Sequence, residues 1–169
     1  MWKSGELWVK IHNFVYYFIS MRFTGTLEAK LDAKGRVFFP ATFRKTMSEG
    51  CGEFVLRKDV YQPCLVVYPQ LVWERTVETL RQRLNVWNPK EAMVLRQFLA
   101  EAESVSLDAS GRFILSKRMQ KMAGIDKALV FVGMDDRIEI WSKSNVEEPF
   151  LSNEEFGAAL ENIMAADND

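Results

Sequence analysis

Histidine is almost missing from this chain: His12 is the only one in 169 residues, and Cys51 and Cys64 are the only cysteines. One imidazole removes the Ser-His-Asp and Cys-His arrangements and most histidine-built metal sites, unless residue 12 is itself the base. Two cysteines without a second pair make no zinc ligand set, and in a chain lacking a secretion signal they read as reduced thiols. No glycine-rich phosphate loop occurs. Asp135-Asp136 reads as a strand-joining turn and not as a metal site. No metal, no cofactor and no enzymatic activity is expected.

Long apolar runs are missing too. Residues 1–20 are apolar in composition, but Lys10, His12 and Asn13 interrupt them, and the longest clean run is the six residues Phe14 to Ile19. That is too short to cross a membrane, and no small-residue cleavage site follows, so neither a spanning helix nor a signal peptide is expected. The segment reads as a mis-assigned N-terminal extension, because Met21 stands directly before the region that carries every motif below, with a genuine peripheral segment as the competing reading.

An excess of one charge is absent as well: 22 Lys and Arg meet 23 Asp and Glu, for a net −1. The distribution is uneven. Residues 28–45 set Lys30, Lys34, Arg36, Arg44 and Lys45 against Glu28 and Asp32, and residues 104–121 set Arg112, Lys117, Arg118 and Lys121 against Asp108, each a local +3. Residues 147–169 hold seven acids and no base. Two basic stretches fit an anionic partner, with solvated helix faces as the competing reading.

What is present is a phrase said twice. Leu31-Asp32-Ala33-Lys34-Gly35-Arg36 returns 76 positions later as Leu107-Asp108-Ala109-Ser110-Gly111-Arg112. Each copy leads into an apolar strand and a short basic helix, so a structural unit is duplicated. Asp32 and Asp108 suit the first position of a type I turn, where the carboxylate takes a backbone N–H two residues on. Gly35 and Gly111 supply a positive φ. The expected result is a tight, bulged hairpin that aims Arg36 and Arg112 in a fixed direction.

The organisation follows from that unit. A first repeat spans residues 23–70, a helical connector 71–102, a second repeat 103–146 and an acidic tail 147–169, after the extension at 1–20. Trp73, Val77, Leu80 and Leu84 make one amphipathic stripe, and Asn88-Pro89 opens a second helix whose face is Val94, Leu95, Phe98, Leu99 and Ala102. Both stripes read as core or subunit contacts. A weakly marked helix is expected over Leu151 to Met164. Neither repeat buries enough apolar surface alone, so the two are expected to share one core about a pseudo-two-fold axis.

These pieces together resemble the MraZ family, bacterial DNA-binding transcriptional regulators with two AbrB-type swapped-hairpin units. The resemblance runs from Phe23 to about Glu148. It rests on Phe23-Thr24-Gly25, the two hexamers, Pro40, Tyr61-Gln62-Pro63-Cys64-Leu65, Tyr68-Pro69, Trp73-Glu74, Asn88-Pro89 and Glu139-Ile140-Trp141. It implies an α+β, β-rich fold: a duplicated AbrB-like swapped-hairpin β-barrel with a helical hairpin between the repeats and a C-terminal helix. It also implies a cytoplasmic, nucleoid-associated repressor of the division and cell wall gene cluster. Such a protein binds repeats in double-stranded promoter DNA as a ring-like homo-oligomer, with no membrane partner. The resemblance puts Arg36 on DNA, with Arg112 as its counterpart. Ser110 in place of Lys34, and Ser116 in place of Pro40, make the second repeat a weaker reader or an assembly element.

The expected mechanism presents a stiff β-tip to the major groove. Arg36 meets a guanine edge or a phosphate, while Lys30, Lys34, Arg44 and Lys45 hold the backbone. The rival expectation is an antitoxin-like protein-interaction module that works through its acidic tail.

Overall fold

The computed structural model describes residues 22–47, 53–146 and 150–165. The extension over 1–20, Cys51, the helix stop at Gly50 and four acids of the tail (Glu147, Glu148, Asp167 and Asp169) lie outside the described residues.

In chain order the elements are β1 (Thr26–Lys30), β2 (Arg36–Phe38), α1 (Ala41–Thr46), β3 (Glu53–Lys58), β4 (Cys64–Pro69), α2 (Gln70–Arg83), α3 (Pro89–Ala100), β5 (Ala102–Ser106), β6 (Arg112–Ile114), α4 (Lys117–Met122), β7 (Ala128–Met134), β8 (Arg137–Ser142) and α5 (Asn153–Ala165). The apolar runs of β3, β4 and β7 are buried over most of their length, as continuous apolar strands should be. Asn88 caps α3 by accepting the Lys90 N–H, with Pro89 at the first helical position. Ser152 and Glu155 exchange hydrogen bonds at the start of α5, closing a capping box.

The strands form a six-stranded antiparallel sheet in the order β1-β7-β8-β4-β3-β5 and a two-stranded ribbon, β2-β6. Each unit lends its first strand to the other: β1 pairs with β7, and β5 pairs with β3. Replacing every strand by its counterpart gives the same order reversed. The pseudo-two-fold axis therefore runs between β4 and β8, and through the Val37–Phe113 pair of the ribbon. The turn at Asp32–Arg36 closes as a hairpin by a single rung, after which β1 and β2 part into different sheets. Each finds its partner in the other repeat, which removes an open edge from β3 and from β7.

One core lies between ribbon and sheet. Phe39, Phe54, Phe113 and Phe131 meet with ring centroids 5.3–6.1 Å apart. Counterpart positions divide the volume: Phe39 matches Leu115, Phe113 matches Val37, Phe54 matches Leu129 and Phe131 matches Leu56. All eight are buried. Each unit supplies two of the four phenylalanines, at positions where its counterpart carries Leu or Val, so the aromatic centre of the core is built equally from both.

The connector stands outside this core. Val72 is the only buried residue of α2, and α3 has none. Val72 joins Val55, Val66 and Tyr68 on the outer sheet face, and Trp73 stacks on Phe98 at 5.5 Å. Arg57, only 4% exposed, anchors α3. Its guanidinium lies 4.1 Å from the Phe98 ring centroid, donates to the Phe98 carbonyl and pairs with Glu101 at 3.3 Å. That interaction set belongs to the first unit alone, because the counterpart of Arg57 in β7 is Val132.

Candidate nucleic-acid interface

The repeated turns are nearly superimposable in their bonding. Asp32 Oδ1 accepts the backbone N–H of Lys34 at 2.8 Å and of Arg36 at 2.9 Å, while Oδ2 accepts Arg36 Nε at 2.6 Å. Asp108 Oδ1 accepts from Ser110 and Arg112, both at 2.9 Å, and Oδ2 accepts Arg112 Nε at 3.0 Å. The backbone N–H of the arginine, first among the causes, holds each carboxyl below the usual aspartate range. Gly35 and Gly111 take φ of +76° and +78°, the left-handed geometry that lets each chain reverse.

The ribbon brings the two arginines together. Val37 and Phe113 point into the core, so Arg36, Phe38, Arg112 and Ile114 share the outer face. Arg36 faces Ile114 and Arg112 faces Phe38, which makes the arginines diagonal neighbours, about 7–8 Å apart by strand geometry. The Arg112 guanidinium lies 5.7 Å from the Phe38 ring centroid. Both side chains are partly exposed, Arg36 by 31% and Arg112 by 27%, and Nη1 and Nη2 of each have no hydrogen-bond or ion-pair partner among the described residues.

The remaining expected residues distribute as follows. Lys34 is exposed at the first turn. Lys30 and Arg44 line an open depression with Phe38 beside the ribbon. Lys45 is exposed in the last turn of α1 and lines no part of that depression. Arg118, by contrast, is spent on Glu103 and the Ala100 carbonyl. Sequence reasoning missed Phe38 and Ile114, which are 61% and 63% exposed. Their signal was the period-two alternation Arg36-Val37-Phe38 and Arg112-Phe113-Ile114.

The strand exchange and the paired turns define the chain as a duplicated swapped-hairpin protein of the AbrB type. A family model described as "MraZ protein, putative antitoxin-like" matches residues 22–97 and 98–160. A relative from Phocaeicola vulgatus, named Transcriptional regulator MraZ, is 50% identical over 149 residues, covering 88% of this chain and 97% of the relative. The protein of that name from Bacteroides thetaiotaomicron is 48% identical, with 88% and 96% covered. The one from Idiomarina loihiensis is 36% identical, with 72% and 80% covered. The chain belongs to the MraZ family.

Proposed function

We propose that this chain is a sequence-specific regulator of transcription that binds double-stranded DNA through the β2-β6 ribbon. The observation that carries this reading is the pair of partly exposed arginines on one stiffened ribbon, each with terminal nitrogens that make no hydrogen bond or ion pair among the described residues. A two-stranded ribbon fits the major groove, and a guanidinium presented end-on suits the O6 and N7 of guanine or a phosphate. Lys30, Lys34 and Arg44 add backbone contacts, and Lys45 adds charge at longer range. The relatives' shared name supports the regulatory role.

By family resemblance the target is the promoter of the division and cell wall gene cluster. The protein represses it as a nucleoid-associated, cytoplasmic homo-oligomer, in a ring that meets spaced repeats. Supporting self-association, Trp87, Met93, Val94 and Leu99 on and beside α3 are exposed apolar residues. No helix of the described residues is long and apolar enough to cross a membrane.

A second reading, an interaction module that docks a protein partner through its tail, is favoured by α5. Phe156, Leu160, Ile163 and Met164 form an exposed apolar stripe there. Deleting residues 147–169 separates the two: DNA binding survives under the first reading, and only partner binding fails under the second.

The direct experiment is a gel shift on the DNA upstream of the chain's own gene, at about 50 and 200 mM salt. Retardation that weakens by at least tenfold at the higher salt is expected from several phosphate contacts per oligomer. A salt-independent result, or no shift, contradicts the reading.

A further inference from the structure

Each turn is abutted by a residue from the opposite unit's short helix, and those two residues differ. A β-carbon built on Gly35 would stand 3.1 Å from Nε2 of Gln120, whereas one on Gly111 would overlap the guanidinium of Arg44, 2.7 Å from its Cζ. Residues 44 and 120 are counterparts, separated by the same 76 positions as the turns. Gln120 is committed internally: it is buried, donates to the Leu115 carbonyl at 2.6 Å and accepts from Lys117 Nζ at 3.4 Å. Arg44 is exposed, and its guanidinium has no hydrogen-bond or ion-pair partner among the described residues.

We propose that Arg44 crosses between the units to complete the second turn, so that both ends of the ribbon are full DNA-contact elements. The proposal rests on the DNA-binding reading above and deepens it. Lys34 and Arg36 form the cation pair at one end, and Arg44 and Arg112 form its equivalent at the other. Ser110 removes the cation that Lys34 supplies to the first turn. Arg44, 66 residues from Ser110 in the chain, brings one to the same turn, against Gly111. Gly111 serves two purposes, since it takes a positive φ and leaves room for the guanidinium against its backbone. Lys30, which lines the depression with Arg44 and Phe38, extends the positive surface on that side. Under this assignment Ser110 does not make the second repeat a weaker reader. The ribbon addresses DNA with near-equal charge on either side of its pseudo-two-fold axis, as half-site symmetry requires.

A double-mutant cycle tests this on the full chain. The probe is a duplex the protein itself selects from a random pool, and affinity is read by fluorescence anisotropy at low salt, where weakened variants still bind. Arg44→Gln is expected to weaken binding about fivefold alone, less than about twofold in an Arg112→Ala background, and in full in an Arg36→Ala background. The salt slope of Arg44→Gln falls by about one phosphate contact, and Arg44→Lys keeps most of the affinity. Adding Ser110→Lys to Arg44→Gln restores binding, and the melting temperature of every Arg44 variant stays at the wild-type value.

Unchanged binding in Arg44→Gln overturns the proposal, as does a loss that adds in full to Arg112→Ala. A fall in melting temperature that Arg44→Lys fails to repair does the same, by marking a scaffold role. Wild-type affinity in both Arg36→Ala and Arg112→Ala is a different failure. It removes the DNA-binding reading itself, and the proposal with it.

Discussion

Asp32 holds Arg36 from two sides, accepting its backbone N–H at 2.9 Å and its Nε at 2.6 Å. The guanidinium is oriented before any partner arrives, so less side-chain freedom is lost on binding. Asp108 and Arg112 repeat the arrangement.

Asp32→Ala separates orientation from charge. The substitution removes one negative charge beside the ribbon, which on Coulombic grounds alone strengthens attachment to DNA. Loss of the hold on Arg36 is expected to dominate at the chain's own operator, weakening specific binding by about tenfold, the scale of a lost bidentate contact. Anisotropy titration of Asp32→Ala checks this, and tighter specific binding would show that bulk charge decides.

Gly35→Ala puts a side chain at φ +76° and within 3.1 Å of Gln120. The left-handed backbone costs about 1–2 kcal/mol for a residue with a β-carbon. In a chain of this length that lowers the melting temperature by about 2–8 °C. Calorimetry of Gly35→Ala against wild type measures it.

The motif, the duplication and nearly every strand were legible in the sequence, because Asp-x-x-Gly-Arg followed by alternating apolar residues has one local meaning. Which copy pairs with which came only from the family resemblance, with its swapped hairpins, and not from the residue pattern. A hairpin turn at Asp32 is compatible with β1 lying on β2 or on β7, and only the burial of Phe39 and Phe113 in one core decides for exchange. The stripes marked the helices α2 and α3, although Leu84 lies beyond α2 and Ala102 belongs to β5, and the reading of both as core or subunit contacts does not hold for the core at α3: Val94 and Leu99 are exposed, and Phe98 lies over the buried guanidinium of Arg57. Arg44 was visible as a cation near the first turn. That it lies against Gly111 depends on the crossing of the two units, which no local pattern encodes.

Phe113→Ala probes the shared core. Phe113 is 2% exposed and contacts Phe39 and Phe54 of the other unit. The expected loss is about 3–5 kcal/mol, because the cavity lies between units that cannot close independently. Denaturant unfolding should remain a single transition in wild type, with a lower midpoint in the variant.

Glu139 carries the opposite pH signature to the turn aspartates. Burial raises its pKa, against the lowering effects of the Trp141 Nε1–H hydrogen bond and of Arg137. The folded state thus holds this proton more tightly than the unfolded chain does, and the group's stabilising contribution is lost as pH rises past the ordinary glutamate value of about 4.3. Asp32 and Asp108 are lowered, so their contribution is present above about pH 3.9 and lost on acidification. Glu139→Gln is therefore expected to raise the melting temperature at pH 7 and to leave it unchanged near pH 4, as thermal melts at the two values will show.

The most direct test of the two-arginine ribbon compares Arg36→Ala, Arg112→Ala and the double variant with wild type on the chain's own upstream DNA. Each single substitution is expected to weaken specific binding by more than about tenfold, with the melting temperature within a few degrees of wild type. Near-wild-type affinity in the double variant would contradict the assignment of the ribbon as the DNA-binding surface.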